Sequence, residues 1–98
     1  SYADLTEFII RYPESEYIDA ARERLIFLRN LIASSELDGA EYYMKRGAYL
    51  AAVNRANYVL KNIPNSTERE RALRILKEAY KQLGYDGYAE KISSFEAN

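Results

Sequence analysis

A stretch of sequence occurs twice in this chain, and the repetition limits the folds that the chain can adopt. YPESEYIDAARERL at residues 12–25 recurs as IPNSTERERALRIL at residues 63–76, an offset of 51 residues. A second offset of 37 residues joins Gly47 and Ala52 to Gly84 and Ala89. Sequence repeats of this length are typical of architectures in which similar units stack on one another. The identities in the first pair are Pro13 with Pro64, Ser15 with Ser66, Ala21 with Ala72, and Leu25 with Leu76.

The units are predicted to be helical, because apolar residues recur at spacings of three and four and strict alternation never persists. Glycine and proline residues mark where the predicted helices end. We predict six helices: Tyr2 to Arg11, Glu16 to Ala33, Ser35 to the turn at Gly47, Tyr49 to Asn62, Thr67 to the turn at Gly84, and one that follows Asp86.

Three of these helix starts are assigned by capping residues. Ser35 with Asp38 resembles a capping box, and Thr67 with Glu70 forms a second. Asp86 is a plausible cap for the last helix. The break near Ser34 has an alternative, since one long kinked helix from Glu16 to Lys45 fits the same pattern.

Composition excludes several classes of protein. The chain is 48% hydrophobic and 30% charged with a net charge of −1, so it is predicted to be globular and soluble and shows no basic stripe for nucleic acid. No apolar run is long enough to span a bilayer. Cysteine and histidine are both absent, which leaves no thiol nucleophile, no zinc-thiolate site and no imidazole base. We therefore predict a protein that is not an enzyme and has no cofactor and no metal.

The turn at Gly47 lies where a tetratricopeptide repeat has its turn glycine. Small and large residues lie on both sides of this turn at the positions where that repeat requires them, although Glu36 occupies the position of the usual tryptophan. The sequence therefore predicts a tetratricopeptide-like α-solenoid, an all-α stack of about six antiparallel helices. As one domain, residues 1–98 would comprise the end of a preceding repeat (1–13), a repeat with a long first helix (14–64) and a last repeat (65–98). The residues that match the repeat pattern are Ala40, Tyr43, Tyr49, Ala52 and Pro64.

The predicted core follows from the apolar stripes of the helices. Tyr43, Tyr49 and Tyr80 are expected to pack as large core residues, whereas the core explains Tyr42, Tyr58 and Tyr88 less well and leaves open that they face partners. The other expected core residues are Ile18, Ala21, Leu25, Leu28 and Ile32 in the second helix; Ala52, Val53, Ala56, Val59 and Leu60 in the fourth; and Ala72, Leu76, Ala79 and Leu83 in the fifth.

Four segments together resemble one family: RLIFLRN, AEYYMKRGAYLAAVNR, NIPNS and EAYKQLGYDGYAEKI. They are similar to the C-terminal part of the BamD family, tetratricopeptide lipoproteins of the outer-membrane β-barrel assembly (BAM) complex of Gram-negative bacteria. The resemblance implies a scaffold at the periplasmic face of the outer membrane, with a lipid anchor outside this segment. It implies BamA, through its last POTRA domain, as the partner, and other BAM lipoproteins as further partners. The N-terminal repeats that would recognise substrates are expected to be absent from this segment.

The candidate binding residues lie around the Gly47 turn. Ala51, Arg55, Tyr58 and Asn62 share one outward stripe on the fourth helix, and Arg46 lies at the turn itself. Periodicity alone favours an ordinary solvated face for this stripe. The resemblance implies that Arg55, the arginine of VNR, contacts BamA through an acidic residue of that partner. Arg46 could equally serve to stabilise a helix C-terminus.

A second binding function remains open at this point. A generic tetratricopeptide adaptor would hold an extended peptide in its concave groove, and would need Asn and Lys side chains that point into that groove. A scaffold of the BAM complex would instead need Arg55 on a surface that meets a folded domain.

Overall fold

The structure is a computed structural model that describes residues 1–96, and within them it consists of five α-helices without a β-strand. Each helix packs against the next one along the chain, and α2 also packs against α4. The stack measures 52 × 28 × 15 Å, and its radius of gyration of 16.3 Å exceeds the roughly 13 Å of a compact domain of this length. The predicted all-α solenoid is confirmed. The helices are α1 (Tyr2–Arg11), α2 (Ile18–Lys45), α3 (Tyr49–Asn62), α4 (Arg69–Gln82) and α5 (Asp86–Glu96).

Helix α2 runs without interruption for 28 residues, so the predicted break near Ser34 is wrong and the single long helix is confirmed. Ser35 lies inside this helix and does not cap a new one. The reason is the burial on either side of the expected break. Ala33 and Leu37 are four residues apart on one helical face, and both are fully buried in the core. Breaking the helix between them would disrupt this packing, which outweighs the preference of serine for a cap.

The repeat offset of 51 residues is reproduced in the backbone. Tyr17 and Glu68, the residues that precede α2 and α4, have the same dihedral angles (φ −95°, ψ 5°). In both loops a serine hydroxyl accepts a hydrogen bond from the backbone N–H of that residue, from Tyr17 to Ser15 at 3.1 Å and from Glu68 to Ser66 at 3.2 Å. The proline-serine segment is therefore one structural unit used twice.

The caps of the last two helices differ from the prediction. Thr67 does not cap α4, since Glu68 is the N-cap residue and Glu70 lies in the first turn. The backbone N–H of Thr67 instead donates to Oδ1 of Asn30 on α2, at 3.1 Å. This long-range hydrogen bond satisfies a group that the capping pattern had assigned locally. Asp86 is the first residue of α5, one position inside the expected cap.

Both predicted turn glycines adopt the left-handed conformation. The φ angle is 75° at Gly47 and 83° at Gly84. After each glycine, the next residue donates its backbone N–H to the carbonyl four residues before the glycine, at 2.9 and 2.8 Å respectively. This hydrogen bond closes a helix in a Schellman motif, in which glycine avoids the steric penalty of a side chain. The offset of 37 residues is thus also a structural repeat.

The core lies between the C-terminal half of α2 and helices α3 and α4. Tyr43, Tyr49 and Tyr80 pack against it half-buried, as predicted, and so do Leu60 and Leu83. Small residues dominate the buried set, so the helix backbones approach one another closely. The cluster consists of Ala33, Leu37, Ala40, Ala52, Val53, Ala56, Val59, Ile63, Ala72, Ile75, Leu76 and Ala79.

The N-terminal half of α2 is less buried than predicted. Of its expected core stripe only Ala21 is buried, whereas Ile18, Leu25 and Leu28 are half-buried and Ile32 is exposed. Helix α1, which packs against α2, itself has no buried residue. Part of the apolar surface of the N-terminal half of α2 is therefore left exposed.

Candidate protein interface

The turn at Gly47 brings the end of α2 alongside α3, and two arginines meet two tyrosines there. Tyr42 and Tyr43 lie in the last part of α2, Arg46 is its C-cap residue, and Arg55 lies on α3. Because the two helices are antiparallel neighbours, side chains from both reach one surface. We call these four residues together with Glu36 of α2 the arginine–tyrosine cluster.

Arg55 is held by two residues of α2. Its Nη1 donates to Oε2 of Glu36 at 3.2 Å, and its Cζ lies 5.8 Å from the ring centroid of Tyr43. The hydrogen bond and the charge of Glu36 raise the pKa of Arg55 above its ordinary value. The side chain of Arg55 is nevertheless 44% exposed. It is thus both oriented within the chain and accessible from outside.

Arg46 makes the matching contact at the other side of the cluster. Its Cζ lies 5.3 Å from the ring centroid of Tyr42, a distance at which a cation is attracted to the face of an aromatic ring. Tyr42 in turn meets Tyr43 edge to face, with 5.6 Å between the ring centroids. The cluster is therefore continuous from Arg46 to Glu36. As the C-cap residue, Arg46 also places a positive charge at the negative end of the α2 dipole.

The predicted stripe continues from Arg55 along α3. Tyr58 and Asn62 are both exposed, whereas Ala51 is half-buried. Asn62 donates from Nδ2 to the backbone carbonyl of Tyr58 at 3.0 Å, which orients its amide along the helix. All four residues predicted as binding candidates are therefore on the surface, with Arg46 and Arg55 in the cluster and the other two beyond it.

Sequence reasoning missed the residue with the most ion pairs in the described structure. Arg71 on α4 contacts three carboxylates, which belong to Asp38 and Glu41 on α2 and to Glu68 at the start of α4, at 2.7, 2.9 and 3.6 Å. The spacing of three between Asp38 and Glu41 was a usable signal, since it places both on one helical face. The sequence did not indicate that α4 packs beside that face of α2.

Within residues 1–96 no group of three or more acidic side chains is arranged to hold a metal ion. None of the described helices is both long and apolar enough to cross a bilayer.

A comparison with protein families settles the family of the chain. Residues 1–94 match the family model described as "YfiO: Outer membrane lipoprotein". The chain belongs to this family.

Curated relatives of the chain carry the name "Outer membrane protein assembly factor BamD", which confirms the resemblance inferred from the sequence motifs. The protein of Vibrio cholerae is 35% identical over 91 residues, which cover 93% of this chain and 38% of the relative. That of Neisseria meningitidis serogroup A is 39% identical over 84 residues, covering 86% and 32% respectively. That of Pasteurella multocida is 29% identical over 99 residues, covering 100% and 38%. The chain therefore spans less than two fifths of the length of these relatives.

Proposed function

We propose that this chain is a non-catalytic scaffold segment of the BAM complex, and that it helps to assemble β-barrel proteins by binding the last POTRA domain of BamA. Its binding residues are Arg55, Arg46, Tyr58 and Asn62. It works at the periplasmic face of the outer membrane, with a lipid anchor outside residues 1–98. Other BAM lipoproteins are further partners. Membership of the YfiO family and the names of the curated relatives support the assignment to outer-membrane protein assembly.

The observation that carries the proposed contact is the exposed arginine–tyrosine cluster. Arginine and tyrosine are enriched in protein interfaces and carry much of their binding energy, because both combine a large contact area with directed hydrogen bonds. In the chain alone, the guanidinium groups of Arg46 and Arg55 already lie near the rings of Tyr42 and Tyr43. The two rings also contact each other. Such a surface loses less side-chain entropy on binding than a set of freely rotating side chains would.

Arg55 can bind an acidic residue of BamA without giving up its contact within the chain. A guanidinium carries five N–H donors, and the hydrogen bond to Glu36 uses Nη1 alone. The remaining donors suit a carboxylate, which arginine can hold with two parallel hydrogen bonds. A carboxylate of the partner can therefore bind Arg55 beside Glu36 and does not have to displace Glu36.

The test is a binding titration of the chain against the last POTRA domain of BamA from the same organism. Arg55→Glu is expected to weaken binding by at least about tenfold, since like charges would then face each other in the contact. Arg69→Glu is the matched control, because it makes the same charge change at an exposed position at the start of α4. We expect the control to stay within about twofold of the unmodified chain.

Two results would contradict the proposal. If the unmodified chain does not bind the POTRA domain with saturation, the assignment of this partner fails, and binding to extended peptides would then indicate the generic tetratricopeptide adaptor. If both reversals weaken binding equally, the effect is one of net charge and Arg55 is an ordinary surface residue.

A further inference from the structure

One face of α2 forms a cradle for the guanidinium of Arg55. Glu36, Gly39 and Tyr43 follow one another at spacings of three and four, so they share one face of the helix. Glu36 lies 3.2 Å from Nη1 of Arg55, and the ring of Tyr43 lies 5.8 Å from its Cζ. The partners are 19 residues apart in sequence and come from adjacent helices. The cradle exists only because α3 folds back along α2.

The guanidinium of Arg55 lies close to Gly39 of the helix. A Cβ atom at this position would lie 3.6 Å from Nη1 and 3.8 Å from Cζ of Arg55, which is ordinary van der Waals contact. The arginine therefore lies directly over the backbone of α2 between the carboxylate and the ring. A longer side chain at position 39 would occupy the same space and push the guanidinium outward.

We propose that Glu36 and Tyr43 are positioning residues that hold Arg55 in the rotamer in which it receives a carboxylate of the partner. This inference rests on the proposed function, and extends it from the arginine to the residues that orient it. A free arginine loses considerable rotamer freedom when it binds, whereas one already held in place loses less. Glu36 and Tyr43 thus act through Arg55 and need not touch the partner.

The negative charge of Glu36 has two opposite effects on such a contact. Its hydrogen bond orients Arg55, while its charge repels an approaching carboxylate. Substitution can separate the two effects. Glu36→Gln keeps a hydrogen-bond acceptor of the same length and removes the charge, whereas Glu36→Ala removes both. Orientation as the dominant effect predicts that the glutamine variant binds at least as well as the unmodified chain and that the alanine variant binds less well.

The first experiment measures the order of Arg55 without any partner. The NMR order parameter of its Nε–H group is expected to be high in the unmodified chain and in Glu36→Gln, and lower in Glu36→Ala. The Nε–H group of Arg46, which stacks on a different ring, is the internal control and should not change. If Glu36→Ala leaves the order of Arg55 unchanged, the cradle does not position it and the inference is overturned.

The second experiment measures the affinity of the same variants for the last POTRA domain of BamA. We expect Glu36→Ala to weaken binding by about three- to tenfold and Glu36→Gln to stay within about twofold of the unmodified chain or to bind more tightly. In the background of Arg55→Ala, Glu36→Ala should have no further effect, because the positioning residue then has nothing to orient. Tighter binding by Glu36→Ala would show that Glu36 competes with the partner, and would overturn the inference.

The two measurements keep this inference apart from the proposed function. Failure of the unmodified chain to bind the POTRA domain would end the proposed function, while the order parameters would still decide whether the cradle holds Arg55. Thermal unfolding of each variant serves as the check on folding. Because Glu36 and Arg55 are both partly exposed, we expect their substitution to leave the melting temperature nearly unchanged.

Discussion

Arg71 on α4 donates from Nη2 to Oδ1 of Asp38 on α2 across 2.7 Å, which joins two helices that are not neighbours along the chain. Its Nε donates to Oε1 of Glu41 at 2.9 Å. The pKa of Arg71 is raised above its ordinary value, first by the hydrogen bond to Glu41 and then by that to Asp38. The side chain is 22% exposed, whereas Asp38 is largely in solvent. The contact thus lies at the edge of the core and ties α4 to α2.

Replacing Arg71 by alanine should destabilise the stack. The substitution removes two charge-assisted hydrogen bonds between α2 and α4, and we expect a loss of about 1–3 kcal/mol in the free energy of unfolding. Urea denaturation monitored by circular dichroism measures it. Arg74→Ala on the same helix is the control, since Arg74 is exposed, and should change stability by less than about 0.5 kcal/mol. Equal losses of stability in the two variants would mean that the hydrogen bonds of Arg71 contribute little and that only the aliphatic part of its side chain stabilises the stack.

Burial separates two leucines that the repeat pattern treats as equivalent. Leu76 is 1% exposed, whereas its repeat partner Leu25 is only half-buried. Leu76→Ala should leave a cavity and cost about 2–5 kcal/mol, and Leu25→Ala should cost clearly less because solvent already reaches the site. Denaturant midpoints of the two variants provide the comparison. Losses of the same size would indicate that Leu25 is covered in solution.

The two turn glycines should not tolerate a side chain. Gly47→Ala and Gly84→Ala each force a residue with a Cβ into a positive φ angle, which we expect to cost about 1–2 kcal/mol. Nothing lies within 4 Å of the added Cβ at either glycine, so the cost is conformational and not steric crowding. Replacement by asparagine, which tolerates this conformation better, should recover part of the loss. Melting temperatures of the four variants test the order glycine, asparagine, alanine.

Gly39 should behave in the opposite way. It lies inside α2 with helical geometry, and an alanine Cβ would make only ordinary contact with Arg55. Because alanine has the higher helix propensity, Gly39→Ala should stabilise the chain by about 0.5–1 kcal/mol. The same denaturation measurement applies. A loss of stability would show that the guanidinium approaches the helix more closely than the structure describes.

The helix ends near the turns were predictable because they depend on neighbouring residues alone. Gly47 closes α2 and Gly84 closes α4 through a backbone conformation that glycine adopts at low cost. Proline had the same effect at Pro13 and Pro64, where α1 and α3 end just before it. The repeats themselves and the buried face of α3 also followed from spacing. Each helix end is decided within about one turn of helix, and the repeats and the buried face are read directly from residue spacing.

Other features depend on residues far apart in sequence, and only the tertiary structure decided them. The continuity of α2 through Ser34 follows from the shared burial of Ala33 and Leu37, a packing effect that overrides a local capping signal. The division into repeats at residues 13 and 64 stays a prediction. Sequence alone determined that amphipathic helices must stack and that Arg55 faces outward, because helical periodicity is local. The structure decided which acid meets which arginine, Glu36 with Arg55 and Asp38 with Arg71, because only the packing of whole helices brings those charges within reach of each other.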